Sequence, residues 1–174
     1  MKVKSLLLLA FLMGINISWS QPKVEKSEEL QMRNGFKSIK LAQHIDSVSG
    51  AKFSKDIKEK GEFPAKLYIV KDEKYSTIGE VKVTNIEVKT YKDFVYEINV
   101  STEKDSRLMK GMEMALGKPI YDVRTKLYHW SADSLNLTFT GNKKNLLLVY
   151  KSYPVYRKMY EDRGKKIEEI AEGF

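Results

Sequence analysis

Cysteine is absent from all 174 residues. Its absence excludes disulfides and a lipid anchored on an N-terminal cysteine. An exported chain of this size must then be held by its core alone, which favours a bacterial periplasm or a folded secreted bacterial protein over a disulfide-stapled module. Histidine is scarce: His44 and His129 are the two present. A metal site needs three or four convergent ligands, so only carboxylates are left to complete one, and no metal or cofactor is expected. No G-x-S-x-G elbow and no glycine-rich phosphate loop occurs. Gly111, Gly117 and Gly141 stand singly, in helix or turn contexts. A run long enough to span a bilayer, about 20 apolar residues, is also missing, because the one that opens the chain stretches from Leu6 to Gly14 and is broken at Asn16.

What that opening does contain is a leader pattern. Lys2 and Lys4 precede the apolar run, and Ser18 and Ser20 supply small residues at −3 and −1 of a cut before Gln21. The expectation is a signal peptide over 1–20, cleaved near Ser20/Gln21. A periplasmic or secreted protein with no transmembrane anchor would remain. The charge is +8 at pH 7, but only five basic residues are arginine: Arg33, Arg107, Arg124, Arg157 and Arg163. Arginine is the residue suited to bidentate phosphate recognition. The lysines are scattered beside Glu and Asp, which reads as a solvated surface. No specific nucleic-acid partner is expected; an anionic polymer stays as an alternative partner.

Residues 21–33 are charged and aperiodic, and are expected to form a flexible N-terminal segment. A single domain is expected over 34–174. Phe36–Leu41 reads as a short strand, His44–Val48 as a helical turn, and Lys52–Pro64 as a loop. Lys66–Val70 alternates, with Leu67 and Ile69 opposite Tyr68 and Val70. Val81 and Val83 alternate, and Ile86 and Val88 alternate in the opposite phase, so a bulge is expected at Thr84-Asn85. Phe94, Tyr96, Ile98 and Val100 mark one face of the clearest strand. The period then changes: Leu108, Met112, Ala115 and Leu116 fall at helical spacing, with Asp105 or Thr102 to cap the start and Gly117 to end it. Strands follow at 126–130, 134–140 and 145–150, and Pro154 opens a terminal helix in which Gly164 is a candidate bend. The expected fold is α+β: an antiparallel sheet with helices packed on one face, in two layers.

Few residues suggest chemistry. His44 and Asp46 form an H-x-D pair, a motif compatible with acid–base work but frequent by chance. Tyr150, Tyr153, Tyr156 and Tyr160 cluster with Lys151, Arg157 and Lys158, a mixture that can stack on a ligand or simply seat a helix. Trp130 is either a partner anchor or a core plug. The candidate partner-binding set is Trp130, Tyr153, Tyr156 and Arg157, with no catalytic, metal or cofactor residue assigned.

Leu116-Gly117-Lys118-Pro119, then Trp130, then the strands at Leu135-x-Leu137-x-Phe139 and Leu146–Tyr150, resemble small exported bacterial proteins of uncharacterised function. Gly35-Phe36-x-x-Ile39-Lys40-Leu41 is similar to their opening, with Ala42 in place of a usual glycine. The pattern also resembles β-lactamase-inhibitor-like modules of outer-membrane assembly lipoproteins, which carry a lipidated cysteine that is absent here. This resemblance implies export and an α+β fold and transfers no site. Three functions are then weighed. The leading one is an exported, non-catalytic protein that binds a macromolecular partner or an envelope component. The alternatives are a hydrolase-like enzyme using dispersed carboxylates with His44 and Asp46, and an inhibitor-like protein using the 52–64 loop.

Overall fold

The computed structural model describes residues 27–174. The leader expected at residues 1–20 and the cut before Gln21 lie outside the described residues. The first element is a helix, α1 (Glu28–Arg33), where a loose segment was expected. Ser27 caps it: its hydroxyl oxygen accepts from the Leu30 N–H, and Glu28 and Glu29 occupy the first turn, where their charge suits the helix dipole. Leu30 is 1% exposed. The expectation of a flexible segment over 21–33 is therefore corrected for residues 28–33, while 21–26 lie outside the described residues. A single buried leucine in six residues leaves no periodicity to read, yet it fixes the helix to the core.

Asn34 ends α1 in the left-handed region, with φ 45. Gly35 follows at φ +138, and a Cβ there would collide with the Ile39 carbonyl oxygen. The close approach closes a small hairpin, β1 (Gly35–Phe36) against β2 (Ile39–Lys40), so the one strand expected over 36–41 folds back on itself. The chain then runs through a 3-10 turn (Ile45–Ser47) into β3 (Ala51–Glu59), β4 (Phe63–Val70), β5 (Thr77–Ile78), β6 (Val81–Tyr91), β7 (Phe94–Glu103), α2 (Ser106–Leu116), β8 (Ile120–Asp122), β9 (Leu127–Ser131), β10 (Leu135–Gly141), β11 (Asn145–Ser152) and α3 (Tyr153–Ala171). The nine strands from β3 onward form one antiparallel sheet in the order β3-β4-β6-β7-β11-β10-β9-β8, with β5 paired to β6. The class is α+β, as the sequence suggests.

The loop expected at 52–64 is instead a hairpin: β3, a turn, and the start of β4. β3 is an edge strand open to water over most of its length. Polar residues therefore suit both of its faces, and the alternation that identifies a half-buried strand never develops. Lys52, Lys55 and Lys58 and a bulge between Phe53 and Lys55 also discourage pairing with another chain. The bulge expected at Thr84-Asn85 is present: the β6–β7 register shifts between Val83 and Asn85.

A second register shift was not foreseen. Lys89 pairs with Glu97, but Thr90 pairs with Val95, so Tyr96 has no partner on β6. Val95, Ile98 and Val100 join the larger core cluster, which also holds Leu30 of α1 and Leu108 and Met112 of α2. Tyr96 turns to a smaller cluster with Phe63, Ala65 and Tyr91, capped by Val155 and Met159 of α3. The helices therefore divide between two clusters and do not share one. The strand alternation assigns these to opposite faces of the sheet, since Phe63 and Ala65 differ in parity from Val70 on β4. Gly164 leaves α3 unbroken to Ala171.

Because Leu30 fills a closed site, Leu30→Ala is expected to lower unfolding stability by about 2–4 kcal/mol in urea titration. A loss under about 0.5 kcal/mol, the size of a surface substitution, would show that α1 does not belong to the folded body.

Candidate functional site

Helix α2 begins where the Asp105 carboxylate accepts from the Arg107 N–H, and it ends at Gly117, φ 84. Leu108 and Met112 lie one turn apart and reach the sheet. Gly111 and Ala115, also one turn apart, bring almost no side chain to the adjoining surface. A Cβ added at Gly111 would meet nothing within 4 Å. The unfilled space is a cleft of about 690 Å³, within the roughly 300–1,000 Å³ usual for small-molecule sites. Leu148 and Tyr150 of β11 and Val81 of β6 line it from the sheet. The β1–β2 hairpin supplies Phe36, and the β5–β6 turn supplies Ile78 and Gly79.

Four cations and one carboxylate, Glu80, border this apolar space. Arg33 is paired with Glu29 at 2.6 Å. Arg107 binds Glu80 at 2.9 Å and Asp105 at 2.8 Å, which joins the β5–β6 turn to the start of α2. Lys37 and Lys40 differ. Lys37 Nζ donates to the Lys74 carbonyl and Lys40 Nζ to the Arg33 carbonyl, at 2.7 and 2.6 Å. Neither has a carboxylate partner among the described residues. Tyr150 is 7% exposed, and its hydroxyl has no hydrogen-bond partner among the described residues. Burial pushes its phenol up and the Arg33 charge opposes this only in part, so the hydroxyl remains a donor at neutral pH.

A second cluster lies on the other face, between the sheet and α3. Glu97 is buried beside Lys89 and Lys151, at 2.8 and 3.3 Å. Tyr156 donates to Glu97 and Glu59, and Tyr96 donates to Glu59 at 2.9 Å. The Tyr96 and Tyr156 rings meet edge to face. Burial alone would push the Glu97 carboxyl up. The Lys89 hydrogen bond, the charges of Lys151 and Lys89, and the Asn99 amide outweigh it and hold the group below its ordinary range. Burial likewise lowers Lys89, but Glu97 and Glu59 more than restore it. Farther along α3, Asp162 receives Lys92, Lys158 and the Tyr91 hydroxyl. These groups satisfy one another, and together they fasten α3 to the sheet.

The residues singled out in the sequence fall apart in space. Trp130 is 2% exposed, and its Nε1 donates to the Gly117 carbonyl at 2.7 Å. It is a core residue that pins the end of α2, and a partner cannot reach it. Tyr156 is committed to Glu59 and Glu97. Tyr153 and Arg157 share an exposed flank of α3, away from the cleft. His44 caps the 3-10 turn, its Nδ1 accepting from the Asp46 N–H, and its ring lies edge-on to Phe94. Neither His44 nor Asp46 borders the cleft. Among the described residues no group of His, Asp and Glu is arranged to hold a metal. Phe36, Gly111, Lys37 and Lys40 were missed as site residues. The one signal available was Gly111-x-x-x-Ala115 beside the buried face, Leu108 and Met112, of an amphipathic helix. No family model, curated protein or solved structure matches this chain.

Glu97 and Lys89 give the second cluster a defined pH window. A lowered carboxyl adds stability above its ordinary 4.5 and loses it as pH falls. A raised ammonium adds stability below its ordinary 10.5 and loses it as pH rises. Glu97→Gln is expected to cost about 1–3 kcal/mol at pH 7, and the gap to wild type should narrow as the titration moves toward pH 3. A gap of constant size across that range would contradict this attachment.

Proposed function

We propose that this chain is an exported protein, periplasmic or secreted, that binds a small envelope component in the α2 cleft without converting it. The observation that carries this reading is an apolar hollow left open by Gly111 and Ala115, with one unpartnered hydroxyl, that of Tyr150, in its lining. A small-molecule site is usually of this kind: mostly apolar walls with a few polar groups that orient the ligand. The leader pattern supports export. The inhibitor-like reading called for a projecting loop at 52–64, and those residues form a paired hairpin instead. The His44/Asp46 reading is weakened in a similar way, because the imidazole is engaged in capping a turn.

Filling the hollow tests the proposal. Gly111→Trp is expected to abolish binding of the neutral dye Nile red, followed by fluorescence, while the melting transition persists. Gly111→Ala is the control, because the extra methyl removes little space. It should bind the dye and gain about 1 kcal/mol of stability, the usual difference between glycine and alanine in a helix interior. His44→Ala with Asp46→Ala should leave binding intact. Undiminished dye binding by a folded Gly111→Trp protein would overturn the assignment of the site.

A further inference from the structure

We infer that the occupant of the cleft is a single-chain amphiphile with an anionic head, a carboxylate or a phosphate monoester, held by Lys37 and Lys40 with its chain lying along α2. This inference rests on the cleft being the binding site. It adds the chemistry of the ligand.

Charge is the first argument. The two guanidinium groups at the rim, Arg33 and Arg107, already have carboxylates at 2.6 to 2.9 Å. The two ammonium groups have none among the described residues: each is parked on a main-chain carbonyl. A carbonyl satisfies one N–H of an ammonium and leaves its charge uncompensated, with donors to spare. The single carboxylate of the lining, Glu80, is held by Arg107. An anion arriving at Lys37 and Lys40 therefore displaces no internal ion pair, whereas a cationic head would meet like charges. The lining supplies the second argument. Between the two lysines and α2 it is Phe36, Leu148, Leu108 and Met112, which offer no polar group to a sugar or a peptide. Tyr150 is the exception: it lines the cleft, and its hydroxyl, without a hydrogen-bond partner among the described residues, can orient an acceptor close to the head. Size is the third. About 690 Å³ is the room of one drug-sized ligand, so one chain fits where a two-chain lipid would not.

The test compares four dodecyl probes of equal chain length, each below its micelle concentration, by isothermal titration. They are dodecanoate, dodecyl phosphate, dodecanol and dodecyltrimethylammonium. The two anions are expected to bind at least about tenfold more tightly than dodecanol, the worth of one charge-assisted hydrogen bond, and the cation most weakly. The difference between the two anions identifies whether a carboxylate or a phosphate head is preferred. Lys37→Gln with Lys40→Gln, both at the surface, should abolish the advantage of the anions and leave dodecanol unchanged. Raising the salt concentration on the wild-type protein should narrow the same gap through screening, which checks the charge argument without any variant. Equal binding of all four probes would overturn the anionic head while the cleft remains a binding site. So would an anion preference indifferent to both lysines. No binding of any probe, together with retained dye binding in Gly111→Trp, would remove the cleft reading and this inference with it.

Discussion

Strand β7 has to supply two packing clusters, and a strand of strict alternation cannot place large apolar groups where both need them. The register shift at Tyr96 resolves this. It keeps Val95, Ile98 and Val100 on the larger cluster and sends Tyr96 and Glu97 to the side of α3. A bulge of this kind seats two neighbouring side chains on one face. The consequence reaches both functional regions. On one face the sheet offers a flat apolar bed to α2, and the cleft forms where α2 fails to fill it. On the other, a buried tyrosine and a buried glutamate provide the posts to which α3 is tied.

The two helices are held by different physics. α2 rests on Leu108 and Met112, is stopped by Gly117 and is pinned by Trp130 through a main-chain carbonyl. Its packing on the sheet is apolar, and the ion pairs of Arg107 with Asp105 and Glu80 fasten only its first turn, at the surface. α3 has a short apolar contact, Val155 and Met159, then the Tyr156 hydroxyl donating to Glu97, and ion pairs of Asp162 with Lys92 and of Arg163 with Glu62. Separating these modes leaves the cleft side free of buried charge, with its cations confined to the rim. An apolar chain entering beside α2 meets no desolvated ion, and the rim charges are left to discriminate between heads.

Much of the fold was legible wherever one face of an element is wet and the other dry. Helix α2, its Asp105 cap and its Gly117 stop follow from spacing, and so do strands β9, β10 and β11. The bulge at Thr84 was legible because Val83 and Ile86 are apolar on both sides of the slip, so the phase change shows. The bulge at Tyr96 was hidden, because a tyrosine is acceptable on either face and the pattern of alternation looks unbroken. β3 was hidden by its exposure on the sheet edge, and α1 by its single anchor. The site was least legible of all. It is made by small residues that leave space, and by lysines distinguished only by having no carboxylate partner among the described residues. Trp130 and Tyr156, conspicuous in the sequence, are occupied in holding the structure together.

The central claim is that the space beside α2 is where this protein meets its ligand. Chemical-shift mapping of the isotope-labelled protein with dodecanoate tests it most directly. The account predicts perturbations at the Met112 methyl, the Leu148 methyls and the Tyr150 ring, with Leu147 and Val149 on the opposite face of the same strand unaffected. Perturbations confined to Leu147, Val149 and α3, with Met112 and Tyr150 unmoved, would contradict it.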